Sequence, residues 1–154
     1  IGSGSFFSLK GNHTLGREES RSGSFIDRRD YCKLHIVSHY VKTLLGPEFQ
    51  TCPIGRVGDD EQGRILYAEM KDAGLELSRV EMVPGERTLF SFCFVYPDGS
   101  GGNLTTDDSA SSRVSSEIID GAEELFQRFV NRGIGLAVPL PFLFGVVGHQ
   151  QKCY

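Results

Sequence analysis

The stretch Gly55-Arg56-Val57-Gly58-Asp59-Asp60-Glu61-Gln62-Gly63 decides how the middle of this 154-residue chain folds. The apolar residues before Gly58 indicate a short buried strand from Cys52 to Val57, and Gly58 lets the chain turn sharply. The acidic residues that follow suit the positive end of a helix, which we predict from about Asp60 to Ala73, with Gly74 as its stop. The stretch is therefore a strand–helix junction.

The regions on either side of this junction also alternate between strand and helix patterns. Upstream, residues 1–7 begin a strand, residues 22–26 predict an edge strand, and a helix from about Tyr31 to Leu45 ends at Gly46. The apolar residues of that helix share one face at helical spacing: Leu34, Val37, Val41, Leu44 and Leu45. Downstream, Leu77 to Met82 predicts another strand.

A hairpin follows, in which the side chains alternate between two faces. One face of the strand from Thr88 to Tyr96 carries Leu89, Ser91, Cys93 and Val95, and the other carries Phe90, Phe92, Phe94 and Tyr96. The loop from Asp98 to Gly102 turns the chain back into a strand over residues 103–106. The aromatic face needs cover, either from the domain core or from another chain.

The last third of the chain predicts one long helix and one strand. Apolar residues at helical spacing run from about Ser115 to Asn131, and Ile134 to Val138 reads as a strand. The tail from Leu140 onward is broken by proline and glycine and has no assigned role. Helices that alternate with short apolar strands indicate an α/β sheet, to which the central hairpin is an antiparallel addition.

In order and spacing, these elements resemble the ribokinase-like (PfkB) carbohydrate kinases. That family shows a helix ending in Leu-Gly, as at Leu45-Gly46, then Gly-x-Val-Gly-x-Asp-x-x-Gly, as at Gly55 to Gly63. A lid strand then starts at a threonine, as at Thr88, and turns at Asp-Gly, as at Asp98-Gly99. The stretch Leu15-Gly16-Arg17-Glu18 is similar to the Pro-Gly-Glu that opens the family's first lid strand.

The resemblance covers about residues 1–138 and implies the fold. The fold class is α/β, with a Rossmann-like ribokinase-type sheet, flanking helices and a small antiparallel β lid. The chain would form a single partial domain over residues 1–154, the amino-terminal half of the family fold. Its lid segments would lie at about residues 15–27 and 87–107.

The family resemblance also implies an activity, the ATP- and Mg²⁺-dependent phosphorylation of a sugar or nucleoside hydroxyl. In the family, the base is the Asp of a Gly-Ala-Gly-Asp motif in the carboxyl-terminal half. Neither that motif nor a GxxxxGK[ST] loop occurs in this sequence. We therefore assign no catalytic residue and no nucleotide site to this chain.

The substrate-binding candidates come from the sugar-side motifs, which depart from the family. Phe7 stands where the family places an Asp, and residues 30–35, or a register ending at Val37, lack the family's Gly-Gly-x-x-x-Asn. Five candidates remain by position: Ser91 and Cys93 on the lid strand, Gly58 and Asp59 in the junction motif, and His35 near the altered Gly-Gly motif. Ser91 and Cys93 could also be ordinary strand residues.

His35 and His39 are four residues apart on a predicted helix, so their imidazoles could share a metal ion. The segment lacks the Glu of HExxH, and spacing indicates no third ligand. We predict a surface or partly packed histidine pair and no metal site.

Charge and composition limit the partners and the compartment. A net charge of −4 and scattered Lys and Arg argue against a nucleic-acid partner. The longest apolar run, Ile134 to Gly148, contains Pro139 and Pro141 and is shorter than the roughly 20 residues of a membrane-spanning helix. The cysteines form no CxxC pair, and no leader pattern opens the chain, so we expect a reduced, cytoplasmic protein without membrane contact.

Two functional hypotheses follow from these observations. The chain is either part of an ATP-dependent sugar or nucleoside kinase, present here in incomplete or degenerate form, or a non-catalytic module. The module would bind a partner, most simply a second copy, through its aromatic lid hairpin, because lid strands commonly form dimer contacts in the family.

Overall fold

The computed structural model of this chain describes residues 1–27, 32–124 and 127. In chain order the elements are the strands β1 (Gly2–Leu9) and β2 (Gly23–Asp27), the helix α1 (Lys33–Leu45), the strand β3 (Gly55–Gly58), the helix α2 (Glu61–Asp72), the strands β4 (Val80–Val83), β5 (Leu89–Val95) and β6 (Gly101–Thr105), a 3₁₀ turn (Ala110–Arg113) and the helix α3 (Ser116–Asp120). The predicted α/β class is confirmed.

The described strands form two sheets. A four-stranded sheet has the order β2-β1-β5-β6, in which β1 and β5 run parallel and both outer pairs are antiparallel. A two-stranded parallel sheet joins β3 and β4. The hairpin of β5 and β6 was expected from the alternation of its residues, whereas the parallel pairing of β1 with β5 was not.

The main core lies where α2 covers β3 and β4. Gly63, Leu66 and Met70 are the buried positions of α2, at helical spacing. The buried apolar cluster comprises Ile1, Val57, Leu66, Met70, Leu75, Leu77 and Val80. Gly74 adopts a φ of +75° directly after α2, a backbone conformation that favours glycine and ends the helix.

The orientation of α1 differs from the prediction. Of the predicted apolar stripe, Leu34 packs against the core cluster, but Leu44 is 80% exposed, and the buried side chains are those of His35 and Ser38. The helix meets the core through its first turn, and the described residues leave the apolar side chains of its last turn uncovered. Helical spacing shows which side chains share a face but not whether a surface covers that face.

The predicted helix over residues 115–131 is confirmed in part. α3 begins at Ser116, as expected, and is followed by a break at Gly121 and Ala122. Helical backbone resumes at Glu123, Glu124 and Gln127, and Ala122 within the break is fully buried. The remaining predictions for this part of the chain, including the strand Ile134 to Val138 and the tail, lie outside the described residues.

Candidate functional site

The junction between β3 and α2 is held by close backbone contacts at two glycines. A Cβ atom on Gly58 would lie 2.5 Å from the carbonyl oxygen of Glu86 and 2.5 Å from the amide nitrogen of Thr88. A Cβ atom on Gly63 would overlap the carbonyl oxygen of Gly58. Neither position therefore has room for a side chain. The space beside Gly58 is occupied by the backbone segment that leads into β5.

Asp60 links α2 to the start of β5. Its carboxylate accepts a hydrogen bond from the amide of Gly63 (2.7 Å), which caps the helix. It also accepts from the hydroxyl (2.6 Å) and the amide (2.8 Å) of Thr88. Burial raises the pKa of Asp60, but the hydrogen bonds from Thr88 and Gly63 outweigh burial and hold the pKa below its ordinary value. The motif's Asp thus anchors the start of β5.

The neighbouring Asp59 is placed differently. Its side chain forms an exposed ion pair with Arg64, and its amide donates to the carbonyl of Val83 (3.0 Å). Asp59 thus lies at the surface of the junction, whereas Asp60 is directed into it. Gly58 and Asp59 are the two substrate-binding candidates predicted in this motif. Gly58 is enclosed by backbone, whereas the carboxylate of Asp59 faces solvent.

A polar row crosses one face of the four-stranded sheet. Ser91 and Cys93 of β5 are opposite Thr105 and Asn103 of β6, and paired residues share a face. The Ser91 and Thr105 hydroxyls are 2.9 Å apart, and the Asn103 amide donates to Thr105 (3.0 Å). Ser91 and Cys93 are half-buried, while Asn103 and Thr105 are exposed. The row presents hydroxyl and amide groups that can exchange hydrogen bonds with a polar ligand.

The opposite face of the same sheet is aromatic. Phe7 contacts Phe92 and Phe25, with ring centroids 4.8 and 5.3 Å apart, and Phe94 packs edge-on against Tyr96 at 5.6 Å. Phe7, at the position that matches the family's Asp, therefore lies on the face away from Ser91 and Cys93.

His35 lies apart from both the junction and the polar row. It is 2% exposed on α1, and its Nε2 is 2.8 Å from the Nε2 of His39. Both imidazoles line a groove of about 510 Å³ between α1 and α2. The structure thus brings Ser91 and Cys93 together, keeps Gly58 and Asp59 together at the junction, and places His35 in the α1–α2 groove.

The chain is similar in fold to several solved structures. One is the ribokinase of Giardia lamblia, with a TM-score of 0.59 and 14% identity over 80% of this chain and 36% of that chain. Another is the ribokinase of Cryptococcus neoformans var. grubii serotype A in complex with ADP, with a TM-score of 0.54 and 19% identity over 68% of this chain and 32% of that chain. The chain has the ribokinase-like fold. It spans about a third of the length of these two structures.

The resemblance seen in the sequence is confirmed at the level of this ribokinase-like fold. No protein-family profile and no curated protein sequence matches the chain. In the part of the chain that the structure describes, no helix has the length and apolar character to cross a bilayer.

Sequence reasoning gave no functional role to three residues that the structure places at the junction and in the polar row: Asp60, Thr88 and Thr105. The motif itself contained the signal for Asp60, because its Asp is the residue three before Gly63, the spacing of a helix N-cap. Thr88 was recognised only as the start of a strand. Thr105 carried no signal, since its partnership with Ser91 depends on the register of the hairpin.

The described residues do not form a site that fits a nucleotide or Mg²⁺, which the resemblance to the ribokinase-like kinases implies. Within residues 1–27, 32–124 and 127, no group of three or more His, Cys, Asp or Glu side chains is arranged to hold a metal ion. The sequence also lacks a glycine loop that could enclose phosphates. We therefore derive no phosphoryl-transfer step from this chain.

Proposed function

We propose that this chain is the sugar-side and lid portion of an ATP-dependent kinase that phosphorylates a hydroxyl of a small sugar or nucleoside. The observation that carries the proposal is the polar row, which lies on the proposed lid sheet. The contact between Asp60 and Thr88 joins this sheet to an α/β unit of ribokinase-like fold. Lid segments at about residues 15–27 and 87–107, together with β1, would cover the substrate. The protein would work in the cytoplasm, in keeping with the reduced thiols of Cys32 and Cys52.

In this proposal the polar row supplies the contacts to substrate. The hydroxyls of Ser91 and Thr105 can both donate and accept, as a sugar hydroxyl can, and the Asn103 amide adds a donor. The side chain of Cys93, with its polarisable sulfur, lies beside these polar groups. Asp59 and Gly58 mark the junction at which the lid meets the α/β unit, where the carboxylate of Asp59 could reach a polar ligand after leaving Arg64.

Phosphoryl transfer itself would require groups that this sequence does not contain. The base motif and a phosphate-binding loop would belong to a longer polypeptide, which would bring ATP and Mg²⁺ to the substrate. The 154-residue chain is therefore expected to bind a sugar weakly and not to turn it over.

A binding map by ¹H–¹⁵N NMR tests this proposal. Addition of ribose or adenosine should shift the amides of Ser91, Cys93, Asn103 and Thr105 and leave those of Phe92 and Leu104 nearly unchanged. An ADP-release assay with ATP, Mg²⁺ and the same ligands should show no turnover. Shifts confined to the aromatic face, or no shifts at millimolar ligand, would contradict the proposed substrate site.

The second candidate is a non-catalytic module that pairs through its aromatic face, with a homodimer as the simplest form. Leu104 is 68% exposed beside Phe92 in the register of β5 and β6, and Phe25 and Phe90 are also exposed on this face. A contiguous apolar surface of this kind is typical of protein interfaces. The loss of the family's Asp at Phe7 favours this candidate, because Phe7 enlarges the same aromatic face.

A further inference from the structure

Two histidines converge in the groove between α1 and α2. His35 and His39 are one helical turn apart, so their side chains leave the same face of α1. Their Nε2 atoms are 2.8 Å apart, and the ring centroids are 4.5 Å apart. If the two rings pointed straight at each other at this Nε2–Nε2 distance, their centroids would be more than 4.5 Å apart. The two rings therefore approach each other at an angle.

This spacing suits two nitrogen ligands of one metal ion. Metal–imidazole bonds are about 2.0–2.1 Å long, which separates two ligands at a right angle by about 2.9 Å. Right-angle nitrogen pairs occur in the square-planar and octahedral geometries of Cu²⁺ and Ni²⁺, for which imidazole is a suitable ligand. In the metal-free chain one imidazole donates a hydrogen bond to the other across this 2.8 Å distance. A metal ion would replace that proton, which is released to solvent, with little movement of either ring.

The groove supplies negative charge near the histidines. Glu69 and Asp72 of α2 line the same groove, and within the described residues Glu69 Oε2 is buried without a hydrogen-bond partner. A buried carboxylate oxygen without a donor is costly unless a cation or a water accompanies it. Because no three such side chains are arranged as a complete ligand set, water would fill the remaining coordination positions.

We propose that the α1–α2 groove binds one divalent transition-metal ion of the Ni²⁺ and Cu²⁺ class through Nε2 of His35 and His39, with Glu69 as the charge-compensating carboxylate. The site is separate from the polar row of the lid and does not depend on the proposed kinase function.

Calorimetric titration of the chelator-treated 154-residue chain with Ni²⁺ tests the site. We expect one ion per chain in the wild type and in His13→Asn, a control that removes an exposed histidine elsewhere. His39→Asn should weaken binding at least tenfold, and Glu69→Gln should weaken it several-fold with unchanged stoichiometry. Ni²⁺ should raise the Tm of the wild type but not that of His39→Asn.

Equal affinity in the wild type and in His39→Asn would overturn the proposal and assign the ion to another group. A second measurement needs no variant: with Zn²⁺ as a diamagnetic probe, long-range ¹H–¹⁵N spectra should show the Nε2 resonances of both His35 and His39 shifting together. A shift of only one ring, or of neither, would equally exclude the two-histidine site.

Discussion

The carboxylate of Asp60 accepts a 2.6 Å hydrogen bond from the hydroxyl of Thr88, a residue 28 positions later in the chain. This contact joins the cap of α2 to the first residue before β5. Gly58 makes the contact possible, because the chain around Thr88 passes where its Cβ would be. This contact therefore couples α2 and β3 to the four-stranded sheet.

Replacement of Asp60 by Ala should destabilise the protein by about 2–4 kcal/mol, because it removes a helix cap and two bonds to Thr88. Urea unfolding followed by circular dichroism measures the change. Asp59→Ala is the matched control, since it removes only an exposed ion pair, and we expect an effect of about 0.5 kcal/mol or less. Equal losses in the two variants would show that Asp60 is not the anchor.

Gly63→Ala should cost at least about 3 kcal/mol, since the added methyl group would overlap the backbone of Gly58 and force α2 away from β3. Gly16→Ala serves as the control, because its Cβ would meet only the flexible end of Glu19, at 3.3 Å. Thermal unfolding of both variants gives the comparison. A Gly63→Ala protein as stable as the control would mean that the helix and the strand do not approach as closely as described.

The protein should lose stability as the pH falls from about 7 to 4, because of His35. The pKa of this imidazole is about 4 in the folded protein and 6.5 in its ordinary state. Between these values the unfolded chain binds a proton that the folded chain does not, so the free energy of unfolding decreases with falling pH. Rearrangement of His39 and of the surrounding solvent makes the loss of unfolding free energy smaller than the full pKa difference implies, about 1–2 kcal/mol.

Urea titrations at pH 7, 5.5 and 4 measure this loss, and His35→Gln should show a flatter dependence over the same range. Asp60 contributes separately, because its pKa lies below the ordinary 3.8 and its stabilisation is lost only as the pH falls through still lower values. A His35→Gln protein with the same slope as the wild type would assign the acid sensitivity to other groups.

If the aromatic face forms a homodimer, the double variant Phe25→Arg with Leu104→Arg should sediment as a monomer at concentrations where the wild type is dimeric. Both side chains are exposed, so the substitutions leave the rings of Phe92 and Phe94 in place. Thr105→Arg, on the other face of β6, is the control and should remain dimeric. Monomeric wild-type protein at every concentration would rule out the dimer.

If the polar row binds a sugar, Ser91→Ala combined with Thr105→Ala should weaken ribose or adenosine binding by about tenfold, the equivalent of one or two lost hydrogen bonds. NMR titration measures the affinity. Leu104→Ala, on the aromatic face, should bind as the wild type does. Unchanged affinity in the double variant would place any ligand elsewhere.

Much of the fold could be predicted from local patterns. The strand at β5, the turn after it, the helix α2 with its acidic first turn, and the glycines that follow α1 and α2 (Gly46 and Gly74) were expected. The resemblance built on them led to the ribokinase-like fold. The candidate site was only partly accessible. Ser91 and Cys93 followed from their positions on the strand that resembles the family's lid strand, but Asn103 and Thr105 did not, because a hairpin register is a property of two strands.

By itself, the sequence determined the local features of this protein: alternation along one strand, the apolar spacing of α2, and glycine where the backbone must turn. These depend on residues that are neighbours in the chain. Only the tertiary structure decided that β1 pairs in parallel with β5, that Asp60 binds Thr88, and that α1 buries His35 instead of Leu44. Each of these contacts depends on the relative position of two distant segments, because a side chain is buried or bonded only when another segment supplies the surface or the partner.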